Sequence, residues 1–450
     1  MIVDYFSTLF QTEGCSSEEV LRCVEKNITE DQNMMLLAPF SAVEVKDALF
    51  DMHSDKSPGS DGMNPAFYQK FWNIVGEDVV QACLNFINSC SFPVGLNDTS
   101  IILIPKKQQP ETLADMRPIA LCNVLYKIIS KMLANRMRAV LASVVSEAQS
   151  AFIPGRAITD NIIISAEILH FLKRKRQGKH GCAALKIDMS KAYDRIEWKF
   201  LQAIMLRMGF AEKWVDLIML CISTAQYNVL RNGKEVGPII PSRGLRQGDP
   251  LSLYLFILCA EGLSSLIRVN EKAGLIHGVK VARSAPMVSH LFFADDSFLF
   301  FRANQQEAVL MRDILASYSL ASGQKVNFNK YSISFSANVL ADVASQVCGV
   351  LAVNVTSDHG AYLGLPSCIG RNKRAVFQSI RDKVWQKLQV WNIRLLSRAG
   401  KEVLLKTVAQ AMPNYVMNVY LLPIYLCKEL EIMMNSFWWG GKRNSGGGIN

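Results

Sequence analysis

Residues 290–301 read HLFFADDSFLFF, two adjacent carboxylates inside an otherwise apolar and aromatic run. Short flanks of this composition predict two strands joined by a tight turn at Ala294, Asp295 and Asp296. Asp is common in turns because its side chain bonds to the local main chain, so a single Asp would carry little information. Two adjacent carboxylates in apolar surroundings repel each other, and a divalent cation relieves that repulsion. The stretch predicts a β-hairpin with a cation-binding tip.

A third carboxylate stands at the end of another apolar run. Residues 183–198 read AALKIDMSKAYDRIEW, and the run stops at Asp188. A helix is predicted after it, with Phe200 and Ile204 on its apolar face. Asp188 therefore lies where a strand ends, the usual place for a ligand-binding carboxylate in an α/β sheet. Asp194 is interpreted as an acid near a helix start, where it favours the helix dipole, and is left out of the catalytic set.

The third informative segment begins with a loop that contains two glycines. Residues 243–265 read RGLRQGDPLSLYLFILCAEGLSS, in which Asp249 and Pro250 predict a helix start. Gly244 and the glycine of RQG at 246–248 permit close approach of the backbone to a neighbour. The loop offers polar groups in front of the helix. The simpler alternative is a plain loop that caps a core helix.

Composition limits the partners and the compartment. Half of the 450 residues are apolar and the formal net charge is +10, which favours a polyanionic partner, nucleic acid or an anionic membrane surface. The longest apolar runs, such as 251–260, are shorter than the roughly 20 residues of a spanning helix, so no membrane partner is expected. The start of the chain does not resemble a secretory signal. The eleven cysteines form no C-x-x-C pair, which disfavours a zinc module and favours a reducing compartment.

Three regions differ in texture. Residues 1–180 mix helical patterns with polar loops, and residues 181–340 alternate strand-like and helix-like segments, which predicts an α/β fold. From residue 371 onward the chain is helical and basic, with Ile380 and Val384 in one apolar stripe. The charged face of that helix is either an ordinary solvated surface or a surface that follows a phosphate backbone.

The order of three motifs resembles a known family. LKIDMSKAYDRIEW, GLRQGDPLS and FADDS are similar to motifs A, B and C of reverse transcriptases, closest to the LINE-type (non-LTR) elements of plants. The resemblance covers nearly the whole chain. Further matching segments are KSPGSDGMNPAFYQ at 56–69, IILIPKK at 101–107, MRPIALCNVLYKIISKMLANRM at 116–137, QSAFIPGR at 149–156, ASGQKVNFNK at 321–330 and YLGLP at 362–366.

The resemblance implies an α/β right-handed polymerase fold, with fingers, a palm built on an antiparallel sheet, and a helical thumb. The implied division is an N-terminal extension with the start of the fingers at 1–100, fingers at 101–180, palm at 181–370 and a thumb-like region at 371–440. A Gly-rich tail follows at 441–450.

It also implies the chemistry. Asp188 and Asp295 would bridge two Mg²⁺ ions, for which Mn²⁺ could substitute, with Asp296 beside them and the Met189 carbonyl as a backbone ligand. Such a site stabilises the attacking 3′-oxygen and the leaving pyrophosphate of an in-line displacement. The implied partners are an RNA template, a DNA primer and dNTPs.

The remaining implied roles follow the family's motifs. An aromatic ring at Tyr193 would exclude a ribose 2′-hydroxyl; the alternative is a core tyrosine. Lys107 is the neighbouring alternative to Lys106. The assignments are Lys106, Arg117, Tyr193, Gln247 and Gly248 for the nucleotide, Tyr362, Leu363 and Gly364 for the primer grip, Lys330 as proton donor to pyrophosphate, and Gln149, Phe152 and Arg156 for the template.

Two departures keep other functions open. Leu253 replaces the second proline of the family's P-L-S-P. The endonuclease of full elements is absent, so a fragment, a gene-model product or an element relic is expected. The first alternative is a catalytically decayed or co-opted RNA-binding relic, which intact Asp188, Asp295 and Asp296 oppose. The second is a viral-type RNA-dependent RNA polymerase, which Tyr193 and the F-A-D-D wording oppose. A nuclear or cytoplasmic site is expected from how such elements replicate.

Overall fold

The computed structural model describes residues 2–327, 331–356, 360–367, 373–392 and 396–440. The helices are α1 Ile2–Phe10, α2 Glu18–Cys23, α3 Glu30–Leu37, α4 Ala42–Phe50, α5 Pro65–Lys70, α6 Trp72–Ser89, α7 Val124–Val144, α8 Ile158–Arg174, α9 Trp198–Met208, α10 Glu212–Ser223, α11 Ser252–Lys272, α12 Gln305–Ser322, α13 Ala341–Leu351, α14 Lys373–Asn392, α15 Arg398–Leu404, α16 Ala411–Met417 and α17 Ile424–Trp439. The strands are β1 Asp98–Pro105, β2 Met116–Leu121, β3 Cys182–Ile187, β4 Met189–Ser190, β5 Gln226–Arg231, β6 Lys234–Ile239, β7 His290–Phe293, β8 Asp296–Arg302, β9 Lys325–Val326, β10 Ser332–Phe335, β11 Asn354–Val355, β12 Ala361–Tyr362 and β13 Leu365–Pro366.

The central sheet has the strand order β11-β10-β3-β8-β7. β3 pairs antiparallel with β8 and β10, and β7 with β8 forms the predicted hairpin. Leu185 and Leu299 lie on the face that joins the main core, whereas Phe298 and Phe300 lie on the opposite face, in a smaller cluster with α8. Both faces are covered, which is why these strands read as nearly continuous apolar runs.

Helix α11 is the central helix of the main core and packs against α2, α7, α9 and α12. By length and composition alone it could cross a membrane, and 78% of its most apolar stretch is buried inside the protein. It continues past the run at 251–260 through Glu261, whose carboxylate pairs with Arg268 at 2.7 Å and accepts the Ser146 N–H. Pairing of the buried acid allows the helix to stay in the core.

A second sheet of order β2-β1-β5-β6 stands beside the main core. Helix α1 packs onto it, with Phe6 and Phe10 fully enclosed and Phe10 in an edge contact with Tyr227 at 5.2 Å. Ala120, near the end of β2, donates its N–H to the Gln247 carbonyl of the loop that precedes α11, while Lys106 and Arg117 lie at the other end of the β1–β2 hairpin.

The C-terminal helices bury a separate apolar cluster. Ile380 and Val384 of α14 lie in it, as the spacing predicted, together with Val416 and Leu426 of the later helices. A π-helical turn at Leu405–Ala409 leads from α15 to α16. The predicted Gly-rich tail at 441–450 lies outside the described residues.

Two predicted helix starts lie later than expected. α9 begins at Trp198, because the chain after β4 first forms turns at 191–195. Glu197 then forms an isolated antiparallel β-bridge with Arg243. α11 begins at Ser252. Leu253, in its first turn, leaves the helix intact, as expected for a good helix former.

Candidate active site

The three predicted carboxylates come from adjacent strand ends. Ile187 of β3 pairs with Ser297 of β8, and the same antiparallel register continued by one residue sets Asp188 opposite Asp296. Asp295 and Ala294 form the two-residue turn between β7 and β8, with Ala294 at φ 53°. Asp188 is buried, and Asp295 and Asp296 are half-buried. Strand pairing thus unites residues that are more than a hundred positions apart in the chain.

The donor set suits a hard divalent cation, because it offers carboxylate oxygens and no nitrogen or sulfur. Among the residues that the structure describes, no three His, Cys, Asp or Glu side chains are grouped so as to hold a metal. Asp188 Oδ2 instead accepts a hydrogen bond from Asn327 Nδ2 at 3.0 Å, and its carbonyl accepts the Asn327 N–H at 2.8 Å. The following Met189 pairs with Val326 in the short β4–β9 ladder.

Tyr193 borders this site. Its ring stacks on Phe256 of α11, with centroids 4.7 Å apart and planes 18° apart, and it is half-buried. Burial and then the Asp295 charge raise the pKa of its phenol above the ordinary value. The ring therefore stays neutral, supported from behind and close to Asp295, which is compatible with both the sugar-gate and the core-packing interpretations.

Asp194 occupies a different place from the one predicted. It lies in the turn four residues before α9, is buried, and accepts a hydrogen bond from Gln247 Nε2 at 2.9 Å. Burial raises its pKa to about 6, against the opposing effect of nearby Lys191 and Lys106. The helix-dipole explanation was wrong, because the carboxyl bonds to the loop before α11 rather than to a helix end.

Main-chain bonds join the loop before α11 (243–251) to the loop at 191–197, which follows β4, and to β2. Leu245 N donates to the Tyr193 carbonyl and Ala120 N donates to the Gln247 carbonyl, each at 2.8 Å. A Cβ at Gly244 would lie 2.7 Å from the Asp194 carbonyl oxygen, and one at Gly248, with φ 115°, 3.0 Å from that of Ala120. The predicted close backbone approach is confirmed, and its neighbour is the protein's own main chain.

Arg246 points inward. Its guanidinium is buried, pairs with Asp249 at 3.1 Å and lies over the Tyr126 ring at 4.0 Å. Asp249 also accepts the Leu251 N–H at 3.0 Å and the Tyr126 hydroxyl at 2.6 Å. The Asp249 carboxylate thus anchors the loop from beneath and keeps a capping-type bond to the Leu251 N–H, but Pro250 is not the first helical residue, because α11 begins at Ser252.

The basic residues after β1 separate into two environments. Lys107 pairs with Asp115 at 3.2 Å, whereas Lys106 lies beside Lys191. Burial, followed by the Lys106 charge, lowers the pKa of Lys191 to about 8, and its ammonium donates to the Met116 carbonyl at 2.8 Å. Arg117 is exposed on β2. Because Lys107 is already paired, Lys106 is the better candidate for an anionic ligand.

The predicted template residues occupy one loop but different surroundings. Gln149 is 1% exposed, and its side-chain oxygen accepts main-chain N–H groups. Arg156 is partly buried and donates to the carbonyls of Val145, Ser146 and Gln149 at the end of α7. Phe152, with φ 60° and 43% exposure, presents its ring to solvent.

The predicted primer grip is the hairpin of β12 and β13. Its turn consists of Leu363 and Gly364, both with positive φ, at 50° and 79°. Tyr362 is buried, with its ring 4.8 Å from Phe298, and Tyr415 donates to the Leu363 carbonyl at 2.7 Å. The hairpin therefore links the central sheet to the C-terminal helices. Lys330, the predicted proton donor, lies outside the described residues.

Sequence interpretation missed two charged residues of the site, Lys191 and Asp194. Both lie in the quoted motif, close to the buried apolar residues Ala192 and Ile196. A charged pair enclosed by core positions is unusual, and that contrast was the available signal.

Comparison with known proteins agrees with this geometry. Residues 104–367 match the family described as reverse transcriptase (RNA-dependent DNA polymerase). A 149 kDa protein of transposon TX1 from Xenopus laevis is 30% identical over 308 residues, which is 68% of this chain and 23% of that protein. The Pol polyprotein of the retrotransposable element R2DM of Drosophila melanogaster is 26% identical over 276 residues, 61% of this chain and 24% of that protein.

An uncharacterized mitochondrial protein of Arabidopsis thaliana is 54% identical over 66 residues, which is 15% of this chain and 54% of that protein. The chain spans about a quarter of the length of the two transposon relatives. The family match covers more than half of the chain and contains all three carboxylates and both loops of the site. The chain belongs to the reverse transcriptase family, in the group carried by non-LTR retrotransposons.

Proposed function

We propose that this chain is an RNA-directed DNA polymerase that transfers a nucleotide from a dNTP to a primer 3′-hydroxyl on an RNA template. The observation that carries the proposal is the register that sets Asp188 opposite Asp296, with Asp295 at the adjoining turn. In this proposal residues 101–180 act as fingers, 181–370 as palm and 371–440 as thumb.

Asp188, Asp295 and Asp296, with the Met189 carbonyl, would hold two divalent cations. Bound there, Mg²⁺ would activate the primer hydroxyl and neutralise charge on the triphosphate. Asn327, bonded to Asp188 Oδ2, orients that carboxylate from the side of β9. The protein's own contribution is to hold its acids at the strand ends and to orient the nucleotide and primer.

The nucleotide would lie between the two loops. Lys106 and Arg117 would contact the triphosphate, and Lys191, beside Lys106, adds a third positive group. Tyr193, supported by Phe256, would lie under the sugar. Gln247 and Gly248 would line the site, and the Asp194 carboxylate accepts from Gln247 Nε2, which leaves Oε1 as the amide's outward acceptor.

The remaining assignments concern the nucleic acid. Leu363 and Gly364 at the hairpin tip would contact the primer, with Tyr362 as the buried support. Phe152 would stack on the template, since its ring is exposed at the edge of the site. Lys330 would donate a proton to pyrophosphate.

The test is primer extension by the purified chain on an RNA template with a DNA primer, Mg²⁺ and dNTPs. Asp295→Asn keeps the side-chain volume and removes the charge, so it should abolish extension. The matched control is Asp216→Asn, an exposed acid on α10, which should extend as the wild type does.

Each alternative has its own outcome. Primer–template binding without extension by the wild type would indicate the RNA-binding relic. Preference for rNTPs over dNTPs would indicate an RNA-dependent RNA polymerase. Extension that survives Asp295→Asn would contradict the proposed metal site.

A further inference from the structure

Gln149 has a set of bonds that a template contact does not require. Its side-chain oxygen accepts two main-chain N–H groups, from Ala151 of its own loop at 2.9 Å and from Ala294 of the carboxylate turn at 3.1 Å. Both partners can only donate, so the amide oxygen must face them and the orientation of the side chain is defined. The residue is 1% exposed, which leaves no surface for a template base.

The loop around Gln149 extends the central sheet. Ser150 N donates to the Phe292 carbonyl at 3.1 Å, and Phe292 N donates to the Ala148 carbonyl at 2.7 Å, a short parallel bridge at the edge of β7. Asn161 Nδ2 also donates to the Phe292 carbonyl at 2.8 Å. The outer strand of the carboxylate hairpin is therefore held on its open edge by this loop.

Arg156 holds the loop in turn. Its guanidinium donates to the Gln149 carbonyl at 2.5 Å and to the Val145 carbonyl at 3.0 Å, at the end of α7. A chain of contacts thus runs from α7 through Arg156 and Gln149 to the N–H of Ala294, the residue directly before Asp295.

Ala294 needs such support. With φ 53° it occupies a left-handed conformation that costs energy for a residue with a Cβ. The Ala294 N–H stands at the first central position of the turn. Among the described residues, Gln149 is the one that accepts a hydrogen bond from it. Gln149 Nε2 is buried and has no partner among the described residues, so the side chain serves as an acceptor although its donor is unsatisfied.

We propose that Gln149 is a positioning residue that sets the path of the carboxylate turn through its side-chain oxygen, rather than a contact to the template. The inference rests on the proposed polymerase function, because the turn carries Asp295. Loss of the acceptor would release Ala294 and displace Asp295 from its place beside Asp188 and Asp296.

Gln149→Met isolates this effect, since Met has a similar volume and no acceptor of comparable strength. The substitution breaks no hydrogen bond at Nε2, because that atom has no partner among the described residues. A misplacement of the order of 1 Å near the reacting groups lowers the rate by about 100-fold, which is the expected loss in kcat. The Kd for the RNA–DNA primer–template should be unchanged. Gln149→Glu should retain more activity than Gln149→Met, because burial favours its neutral acid, whose carbonyl still accepts.

Hydrogen–deuterium exchange gives a readout that needs no activity. Amides of 290–297 should exchange faster in Gln149→Met than in the wild type and should stay protected in Gln149→Glu. Glu147→Met, an exposed position in the same loop, is the matched control and should change neither exchange nor kcat. A wild type that lacks activity but shows the predicted exchange pattern would count against the polymerase proposal and not against this one.

Three results would overturn the inference. One is a weaker Kd for the template with unchanged kcat, which would restore the template contact. Another is unchanged exchange at 290–297 in Gln149→Met. The third is a Gln149→Glu variant no better than Gln149→Met in both measurements.

Discussion

Asp194→Asn should reduce the loss of folding stability that the wild-type protein shows as the pH rises. The wild-type carboxyl is buried, and burial raises its pKa from 3.8 to about 6 in the folded protein. The neighbouring cations Lys106, Lys191 and Arg195 oppose that shift, and Tyr5 and Tyr227 also face the group, but burial has the larger effect. The folded protein therefore holds this proton to higher pH than the unfolded chain does.

The sign and size follow from linkage. A group whose folded pKa is raised stabilises fully below its unfolded pKa, and this stability is lost as the pH rises through the folded value. Each pKa unit corresponds to about 1.4 kcal/mol, so the shift from 3.8 to about 6 corresponds to about 3 kcal/mol. Asn stays neutral, and its carbonyl can still accept from Gln247. The free energy of unfolding of Asp194→Asn relative to wild type should therefore increase by about 3 kcal/mol between about pH 3, below the unfolded pKa, and about pH 7, above the folded pKa.

Urea unfolding of both proteins at the two pH values measures this difference. Titrating groups that do not interact with Asp194 are shared and cancel when the variant is compared with the wild type. The Asp194 charge raises the pKa of Lys191, which is about 8, so the upper pH is kept below that value. Asp216→Asn, at an exposed position, should show no such pH dependence. A difference between Asp194→Asn and wild type that is the same at both pH values, or that shrinks as the pH rises, would refute the reasoning.

Two further outcomes concern the neighbouring loops. Tyr193→Ala should relax discrimination against rNTPs in primer extension, and unchanged discrimination would mean that the ring only packs on Phe256. Arg246→Met should lower the free energy of unfolding by about 3–5 kcal/mol, because it leaves the buried Asp249 charge without its cation. Lys272→Met, which removes an exposed pair, should cost less than about 1 kcal/mol by urea unfolding, and an equal cost for both variants would contradict the buried-pair argument.

The local elements of the site followed from sequence patterns alone. The hairpin at 290–301 was predictable because strands covered on both faces have a nearly continuous apolar signature, and two adjacent acids interrupt it at one point. The place of Asp188 at a strand end and the apolar stripe with Ile380 and Val384 have the same local origin. Such signals depend on residues close in the chain, so one sequence suffices to recognise them.

The pairing of distant residues was decided only by the tertiary structure. The helix-dipole role expected for Asp194 relied on adjacent residues, yet its carboxyl accepts from Gln247, and Asp249 adds to its bond with the Leu251 N–H a distant partner in Tyr126. Gln149 likewise stands 145 positions from Ala294, whose N–H it accepts. A buried polar side chain must find its partner wherever the fold brings one within reach, and no periodicity in the sequence records that meeting. Sequence therefore determined which acids stand at the strand ends, and packing determined which side chains hold them there.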